Sequence, residues 1–349
     1  MARDPLGLVG TVLDGAYRVD ELCDPQPPWV GYRAWHVAFE EQLALRALVL
    51  PADLDADAAR RCLEGFRRAA RLHVKLRAHP GIGMAVGFGV AELGADERVA
   101  YHAREWLDGA PLGEIYAVGA RRHAEREAVA ALRPAVAALA FAHERGVHHG
   151  ALGPDALLVA AAPRGLVVVD FALGPALEAG GVGAPEARAR YAAPEQLRPG
   201  ELGPCGPATD VYALGVLLVE LVTGRRLERP EREAVDEPDE PRTPRALGID
   251  VSDAFEAVCA RALARHPSER YASALELGAA LDALGHEVGA VAARAGSSGR
   301  STSLVFVGAL ALALGGLGVA IGLALGHQRA PVCPEPAPTA AGYSSPSTR

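Results

Sequence analysis

Alternating apolar and polar residues dominate the first hundred positions of the chain. Between Tyr17 and Leu50 this alternation predicts three short strands, with the sequences YRVDEL, YRAWHVA and LALRALVL. Between Ala58 and Arg77 the apolar residues recur at helical spacing instead, which predicts one helix. Further strand-like pieces end near Trp106. The chain therefore begins with a β-rich lobe that carries a single helix.

Helical periodicity takes over in the next 180 or so positions. From Glu125 onward one helix face is apolar, and Gly146 is a typical stop signal. A hairpin is predicted next, and three helices follow it near 207–223, 252–265 and 272–284. The pattern predicts an α+β fold in which a helical lobe follows the β-rich lobe. Clefts between two lobes are common ligand sites.

One apolar run is much longer than the others. Residues 304–326 contain 23 positions without a charge, enough to cross a hydrocarbon core of about 30 Å. The N-terminus shows no secretory signal, so we expect a single-pass inner-membrane protein whose N-terminal domain is cytoplasmic. We expect a tail at 1–10 and a two-lobed domain at 11–284, with lobes at about 11–107 and 108–284. A juxtamembrane linker at 285–303, the membrane helix at 304–326 and a disordered outer tail at 327–349 should follow.

Composition excludes some classes of function. A net charge of -8 argues against a nucleic-acid partner. The five cysteines have no metal-ligand spacing, which argues against a zinc site. In the membrane run, Gly318, Gly322 and Gly326 have the spacing of helix-packing motifs and suggest a homodimer, and Cys333 is placed to form a disulfide in it.

Five sequence segments occur in an order that is characteristic of one protein family. They are FAHERGVHH before a loop at 149–156, then VDFA at 169–172, YAAPEQ at 191–196, DVYALG at 210–215 and ARHPSERY at 264–271. This order resembles the bacterial membrane-anchored Ser/Thr protein kinases over roughly residues 11–284. The resemblance implies a two-lobed protein-kinase-like fold with a nucleotide site between the lobes.

The resemblance also identifies where the family's catalytic groups are missing. Ala151 stands at the position of the proton-accepting aspartate, Gly153 at that of the phosphate-contacting lysine and Ala156 at that of the metal-binding asparagine. Asp170 is the one metal-binding carboxylate that the resemblance retains, and it is a weak candidate because Mg²⁺ usually has further ligands. Without a metal, Asp170 is expected to accept local hydrogen bonds.

The part of the β-rich lobe that is predicted to cover the nucleotide also departs from the family. The glycine-rich loop retains only Gly31, amid prolines 25, 27 and 28, which have no N–H to offer a phosphate and suggest an ordinary β-turn. Arg46 replaces the lysine of the third strand, and these two residue types are not interchangeable. In the family, a carboxylate on the following helix pairs with that lysine. Ala69 stands at this position here.

The residues retained from the family are those that shape the helical lobe. By resemblance, Glu195 should form a semi-buried pair with Arg270, and Asp210 should hold the loop backbone near His149. The sequence therefore predicts a pseudokinase, a membrane-tethered scaffold or regulator that acts through protein partners such as active kinases or their substrates. It predicts no cofactor. The alternatives are a regulator that binds ATP weakly, with or without Mg²⁺, and a Ser/Thr kinase whose catalytic groups are displaced.

Overall fold

The computed structural model describes residues 3–24, 29–48, 55–92, 98–171, 174, 176, 179, 190–198, 200–227 and 242–284. All described residues belong to one compact unit. The predicted linker, membrane helix and outer tail, with Gly318, Gly322, Gly326 and Cys333, lie outside the described residues. No helix in the described ranges has the length and apolar character needed to span a membrane.

The elements follow the predicted order of a β-rich part and a helical part. The strands are β1 (Val12–Leu13), β2 (Tyr17–Asp24), β3 (Trp29–His36), β4 (Glu41–Leu48), β5 (Ala85–Glu92), β6 (Arg98–Glu105), β7 (Gly109–Pro111), β8 (Leu157–Ala160) and β9 (Gly165–Val168). The helices are α1 (Ala56–His73), α2 (Leu112–Ile115), α3 (Glu125–His143), α4 (Pro194–Leu197), α5 (Pro207–Thr223), α6 (Asp253–Ala262) and α7 (274–284). Short 3₁₀ turns occupy Val74–Leu76, Pro154–Ala156 and Pro267–Glu269.

The first lobe is an antiparallel sheet with one helix packed on it. Its strand order is β1-β2-β3-β4-β6-β5. Helix α1 begins where the Asp55 carboxylate accepts a hydrogen bond of 2.8 Å from the Ala58 N–H, a standard N-cap. Phe66 of α1 is fully buried against β3, its ring centroid 5.7 Å from that of Trp29. The helix is thereby fixed against the face of the sheet that looks toward the interlobe cleft.

The second lobe is built around helix α5. Apolar residues cover all sides of this helix, as expected for a helix at the centre of a core. It packs against α3 and α6, and it ends at Gly224, whose φ of 64° suits a left-handed cap. The hairpin β8–β9 pairs with β7 to form a small sheet at the join of the two lobes. The loop at 149–156 therefore lies between a rigid helical core and this sheet.

Some local predictions differ from the structure. The helix predicted at 252–265 begins later, because the Ser252 side chain caps it, and it ends at Ala262. Gly31 lies within β3, opposite Arg46 of β4, and not in a turn. Pro25, Pro27 and Pro28, which the sequence predicts to leave the glycine-rich loop without N–H donors for phosphate, lie outside the described residues. The hairpin runs as predicted, since β8 and β9 pair from Leu157 to Val168.

Candidate nucleotide cleft and its ion pairs

The loop at 149–156 is held in place by one buried carboxylate of helix α5. The Asp210 oxygens accept hydrogen bonds from the backbone N–H groups of His149 and Gly150, at 2.7 and 2.8 Å, and from the His143 ring at 2.9 Å. Burial acts to raise the pKa of Asp210, but the His143 hydrogen bond and nearby histidines outweigh it and lower the pKa to about 2. The His149 ring is also satisfied, because Nε2 donates to the Val169 carbonyl and Nδ1 accepts from the Ala151 N–H. The loop is thus rigid at its start.

The three positions without catalytic groups lie together on this rigid loop. Ala151 is half-buried and packs beside the apolar cluster under the sheet, while Ala156 is fully buried. The Ala156 carbonyl accepts a hydrogen bond from the Val169 N–H at 2.9 Å, so it lies next to the strand end that carries Asp170. Gly153 precedes the 3₁₀ turn in an extended conformation. The loop has the shape of a catalytic loop, but these side chains offer neither a base nor a metal ligand.

Asp170 is fully buried and bound by two arginines from the other lobe. Its Oδ2 lies 3.2 Å from the Arg46 Nε, and its Oδ1 lies 3.3 Å from the Arg104 Nε. These contacts span 124 and 66 positions of the chain, so they reach far beyond the local hydrogen bonds that the sequence predicts for Asp170. Asp170 also has a φ of 69°, a left-handed conformation that is uncommon outside glycine and often marks functional sites.

The register of the large sheet brings the two arginines to the same face. Arg46 of β4 lies directly opposite His102 of β6, and Arg104 follows two residues later on β6. Side chains two residues apart in a strand point to the same face, so both guanidinium groups face the cleft. Their side chains are only 11% and 7% exposed.

Arg46 reaches a second carboxylate across Gly31. Its Nη1 lies 2.7 Å from Oδ2 of Asp24 at the end of β2. A Cβ atom added to Gly31 would lie 2.7 Å from this same Nη1, closer than real Cβ contacts allow. Gly31 therefore leaves room for the ion pair between Asp24 and Arg46, because the side chain of any larger residue would displace the Arg46 guanidinium.

An apolar cluster explains why Arg46 does not turn toward helix α1. The side chains of Trp29, Leu48 and Phe66 are buried together there, and Ala69, Ala100 and Ala176 complete the cluster. Ala69 is the position where the family places the carboxylate partner of the third-strand lysine. Since a charge left alone among apolar groups is costly, the Arg46 guanidinium lies where carboxylates are available instead.

Burial and charge act differently on the two guanidinium groups. Burial acts to lower the pKa of Arg46, but the carboxylates of Asp170 and Asp24 outweigh it, so the pKa lies above its usual value. Burial lowers the pKa of Arg104, a shift that Asp170 opposes and the charge of Arg46 increases. Arginine stays protonated in proteins, so both remain cations. Arg104 depends on Asp170 more than Arg46 does, because Arg46 has a second carboxylate.

The space that remains in the cleft is small. The cavity has a volume of about 170 Å³ and lies between Gly31, Ala44 and Arg46 on the sheet side, with Leu158 opposite and Arg104 at its inner end. Pockets that hold small-molecule ligands usually measure about 300–1,000 Å³. Within the described residues, no group of three or more His, Cys, Asp or Glu side chains is arranged to hold a metal ion. Arg46 and Arg104 both line this cavity.

A column of four rings in contact crosses from the sheet to the helical lobe. The ring centroids of His102 and His73 are 5.3 Å apart, those of His73 and Phe171 are 5.5 Å apart, and those of Phe171 and His149 are 4.9 Å apart. Burial lowers the pKa of His73 to about 4 and that of His102 to about 3. At neutral pH His73 and His102 are therefore uncharged and pack like apolar groups.

A second buried ion pair lies deep in the helical lobe. Arg270 contacts Glu195 through two parallel hydrogen bonds of 2.8 Å, and both side chains are fully buried. Arg270 also donates to the carbonyls of Ala264, Ala208 and Arg265, and Glu195 accepts from the Thr209 hydroxyl at 2.9 Å. The pair is therefore more buried than the semi-buried pair that the sequence predicts.

The sequence of the described lobes matches a known family. The family model described as "Protein kinase domain" matches residues 67–281. The chain belongs to the protein kinase family. The match begins inside helix α1, so it includes the column of rings and the helical lobe and leaves out strands β1 to β4.

Curated bacterial kinases resemble the chain over a larger part of its length. The serine/threonine-protein kinase PknL of Mycobacterium tuberculosis is 29% identical over 293 residues, which are 82% of this chain and 69% of PknL. PknA of the same organism is 32% identical over 223 residues, 62% of this chain and 49% of PknA. The serine/threonine-protein kinase pkn3 of Myxococcus xanthus is 30% identical over 300 residues, 80% of this chain and 52% of pkn3. The chain thus spans about half the length of the last two relatives.

Solved structures support the fold. The PknI kinase domain of Mycobacterium tuberculosis superposes with a TM-score of 0.60 at 23% identity, covering 78% of this chain and 97% of that domain. A structure titled "PpkA-294 apo form" gives a TM-score of 0.56 at 22% identity and covers 78% of this chain. Both show that the chain has the two-lobed fold of protein kinases.

Sequence reasoning missed four residues of the cleft. They are Asp24, His73, His102 and Arg104. Arg104 had one visible signal, since it follows the mostly apolar stretch VAYHA of β6 and a charge in a buried strand needs a partner. Asp24 had none, because its role depends on the path of Arg46 over Gly31.

Proposed function

We propose that the chain is a pseudokinase, tethered to the membrane, that acts as a signalling scaffold or regulator through protein contacts and transfers no phosphate. Kinases move a phosphoryl group by positioning and electrostatics, so the groups that hold the metal and accept the proton are indispensable. The fold of the family is kept, while Ala151 and Ala156 stand where such groups would act.

One observation carries this proposal. The carboxylate of Asp170, the one retained candidate for the metal, is bound on each oxygen by a guanidinium, from Arg46 and from Arg104. A Mg²⁺ ion needs carboxylate oxygens at about 2.0–2.1 Å in a nearly octahedral arrangement. Two buried cations on the same carboxylate oppose this arrangement through geometry and charge.

Phosphate transfer from radiolabelled ATP tests the proposal directly. The full-length chain is assayed alone and with generic Ser/Thr substrates, with an active bacterial Ser/Thr kinase in parallel. We expect no labelling above that of the Asp170→Asn variant. Reproducible labelling by the wild type that disappears in Asp170→Asn would contradict the proposal, because it would mean that Asp170 binds a working metal.

A second candidate function is Ser/Thr kinase activity. The names of the relatives favour it, since PknL, PknA and pkn3 are all serine/threonine-protein kinases. It requires groups other than those at 151 and 156 to accept the proton and hold the metal. The same assay distinguishes it from the first candidate.

A third candidate is a regulator that binds ATP without transferring phosphate. The cavity between Ala44 and Leu158 supports it, because Ala44, Leu45, Leu107 and Leu158 make its walls partly apolar. Melting of the full-length chain with ATP, in the presence and absence of Mg²⁺, separates this function from a scaffold that binds no nucleotide. A rise in melting temperature without phosphate transfer would favour the third candidate.

The membrane part of the proposal rests on the uncharged run at 304–326. We propose a single-pass inner-membrane protein with a cytoplasmic kinase-like domain and with protein partners. A homodimer through Gly318, Gly322 and Gly326, locked by Cys333, belongs to the same proposal. Alkaline extraction of membranes should leave the full-length chain in the pellet, and its release into the supernatant would contradict the anchor.

A further inference from the structure

The residues of the cleft do not fit the magnesium–nucleotide complex that the fold family implies. The clearest mismatch is at Gly31, where the Arg46 Nη1 fills the space that a side chain would need. A ligand lying against this part of β3 would meet the guanidinium first. At the inner end of the cavity the Arg104 side chain, nearly fully buried, occupies further space.

We propose that Arg46 and Arg104 replace the metal–nucleotide complex, forming with Asp24 and Asp170 an internal ion-pair ladder that closes the cleft and joins the two lobes. This inference rests on the proposed function and makes it specific, since it states what occupies the site. Asp24, Arg46 and Arg104 belong to the large sheet, and Asp170 follows β9 at the edge of the helical lobe. The order of contacts is Asp24–Arg46–Asp170–Arg104.

Charge balance supports the ladder. Two guanidinium groups face two carboxylates, so the ladder is neutral without an added ion. A magnesium ion at Asp170 would bring two further positive charges next to both guanidinium groups. Repulsion between like charges is strong where water is excluded, so metal entry requires at least one arginine to leave.

The contacts that cross between the lobes also support a joining role. Arg46 and Arg104 are anchored on β4 and β6, which pair with each other along six residue positions. The Asp170 backbone is held from the other side, because the neighbouring Val169 bonds to Ala156 through its N–H and to His149 through its carbonyl. The backbone is therefore held by hydrogen bonds on both sides of the Asp170 contacts, as a cross-link between lobes requires.

A double-mutant cycle on the full-length chain tests the ladder. Arg104→Met removes one cation and should lower the melting temperature by about 3–12 °C. Asp170→Asn keeps the volume but leaves two buried guanidinium groups facing a neutral amide, so it should lower melting further. Adding Arg104→Met to Asp170→Asn should then raise the melting temperature, because it removes an uncompensated buried cation. Arg104→Met should therefore lower the melting temperature of the wild type and raise that of Asp170→Asn. This reversal is specific to a direct charge interaction between the two residues.

A second ion pair between sheet and hairpin provides the matched control. Arg164 on the turn of the β8–β9 hairpin bonds to Glu105 at the end of β6, at 2.8 and 3.1 Å, and is 34% exposed. Arg164→Met should have a small effect of the same size in the wild type and in Asp170→Asn. Equal, additive effects of Arg104→Met in both backgrounds would overturn the ladder.

Nucleotide binding gives an independent readout. Melting of the wild type should not change with millimolar ATP and Mg²⁺, because the ladder occupies the site. A concentration-dependent rise would overturn the exclusion of nucleotide even if no phosphate were transferred. Phosphate transfer by the wild type would instead contradict the proposed function, so the two failures can be told apart.

Discussion

Two buried carboxylates of this protein, Glu195 and Asp170, are both bound by arginine, and their surroundings differ. Glu195 meets a single arginine through two short parallel bonds, and that arginine also bonds to three carbonyl groups. Asp170 meets two arginines through one longer contact each. The first cluster ties segments of one lobe together, whereas the second connects two lobes across a cleft.

The comparison shows which part of a kinase fold depends on nucleotide chemistry. The cluster at Glu195 has a structural task that remains whether or not ATP is bound. By resemblance, Asp170 and Arg46 of the second cluster stand where a kinase binds metal and phosphate. In this chain Gly31 leaves room for the Arg46 guanidinium. The family match at residues 67–281 includes both Asp170 and Glu195.

The largest expected effect comes from breaking the buried ion pair between Arg270 and Glu195. Arg270→Ala should lower the free energy of unfolding by about 3–5 kcal/mol, because it leaves the Glu195 carboxylate buried without its cation. Denaturant unfolding of the full-length chain measures this change. The control is Arg60→Ala on the exposed face of α1, where Arg60 pairs with Asp57 and a negligible loss is expected, because exposed ion pairs are screened by solvent. Equal losses in the two variants would show that Glu195 does not depend on Arg270.

As the pH falls, protonation should weaken the contact of His73 and His102 between the lobes before it affects the hydrogen bonds of Asp210. The native pKa values of His73 and His102, about 4 and about 3, lie below the ordinary value of 6.5. Below pH 6.5 the unfolded chain therefore binds protons that the native state does not. The free energy of unfolding should fall as the pH drops toward 4, by up to about 1.4 kcal/mol per pH unit for each histidine. Asp210, held at about 2, adds a loss only below pH 3.8.

The variant His73→Leu isolates the contribution of the ring column. It keeps an apolar side chain between His102 and Phe171 and cannot be protonated. The slope of unfolding free energy against pH between 6.5 and 4 should decrease relative to the wild type. Asp170, Arg104 and His149 also act on the charge of His73 and are unchanged in this variant. An unchanged slope would remove His73 from the acid response.

The smallest expected effect is on catalysis when single groups are restored. A positioned base typically contributes about 10²–10⁴-fold to a rate, yet catalytic groups act as a unit. Ala151→Asp alone should therefore show no phosphate transfer. Adding Arg46→Lys and Ala156→Asn should give little, because Arg104 still binds Asp170. Measurable labelling by Ala151→Asp alone would show that the rest of the site works, and it would favour the kinase alternative.

Much of the fold could be predicted from local sequence patterns. The β8–β9 hairpin and the helix at 207–223 were predicted correctly, since alternation and helical periodicity are properties of short segments. The structure also brings together the pairs that the resemblance suggested, Glu195 with Arg270 and Asp210 with His149. Helix ends were less accurate, because a cap such as Ser252 depends on one side-chain contact.

The candidate site divides in the same way. The sequence by itself determined that the side chains at 151, 153 and 156 carry no ionisable group in any conformation. Only the tertiary structure decided which side chains surround Asp170. Arg104 meets Asp170 because the β4–β6 register turns it to the face of Arg46, and Arg46 meets Asp24 because Gly31 leaves room. Such contacts join residues up to 124 positions apart, and sheet register and burial, not local pattern, select them.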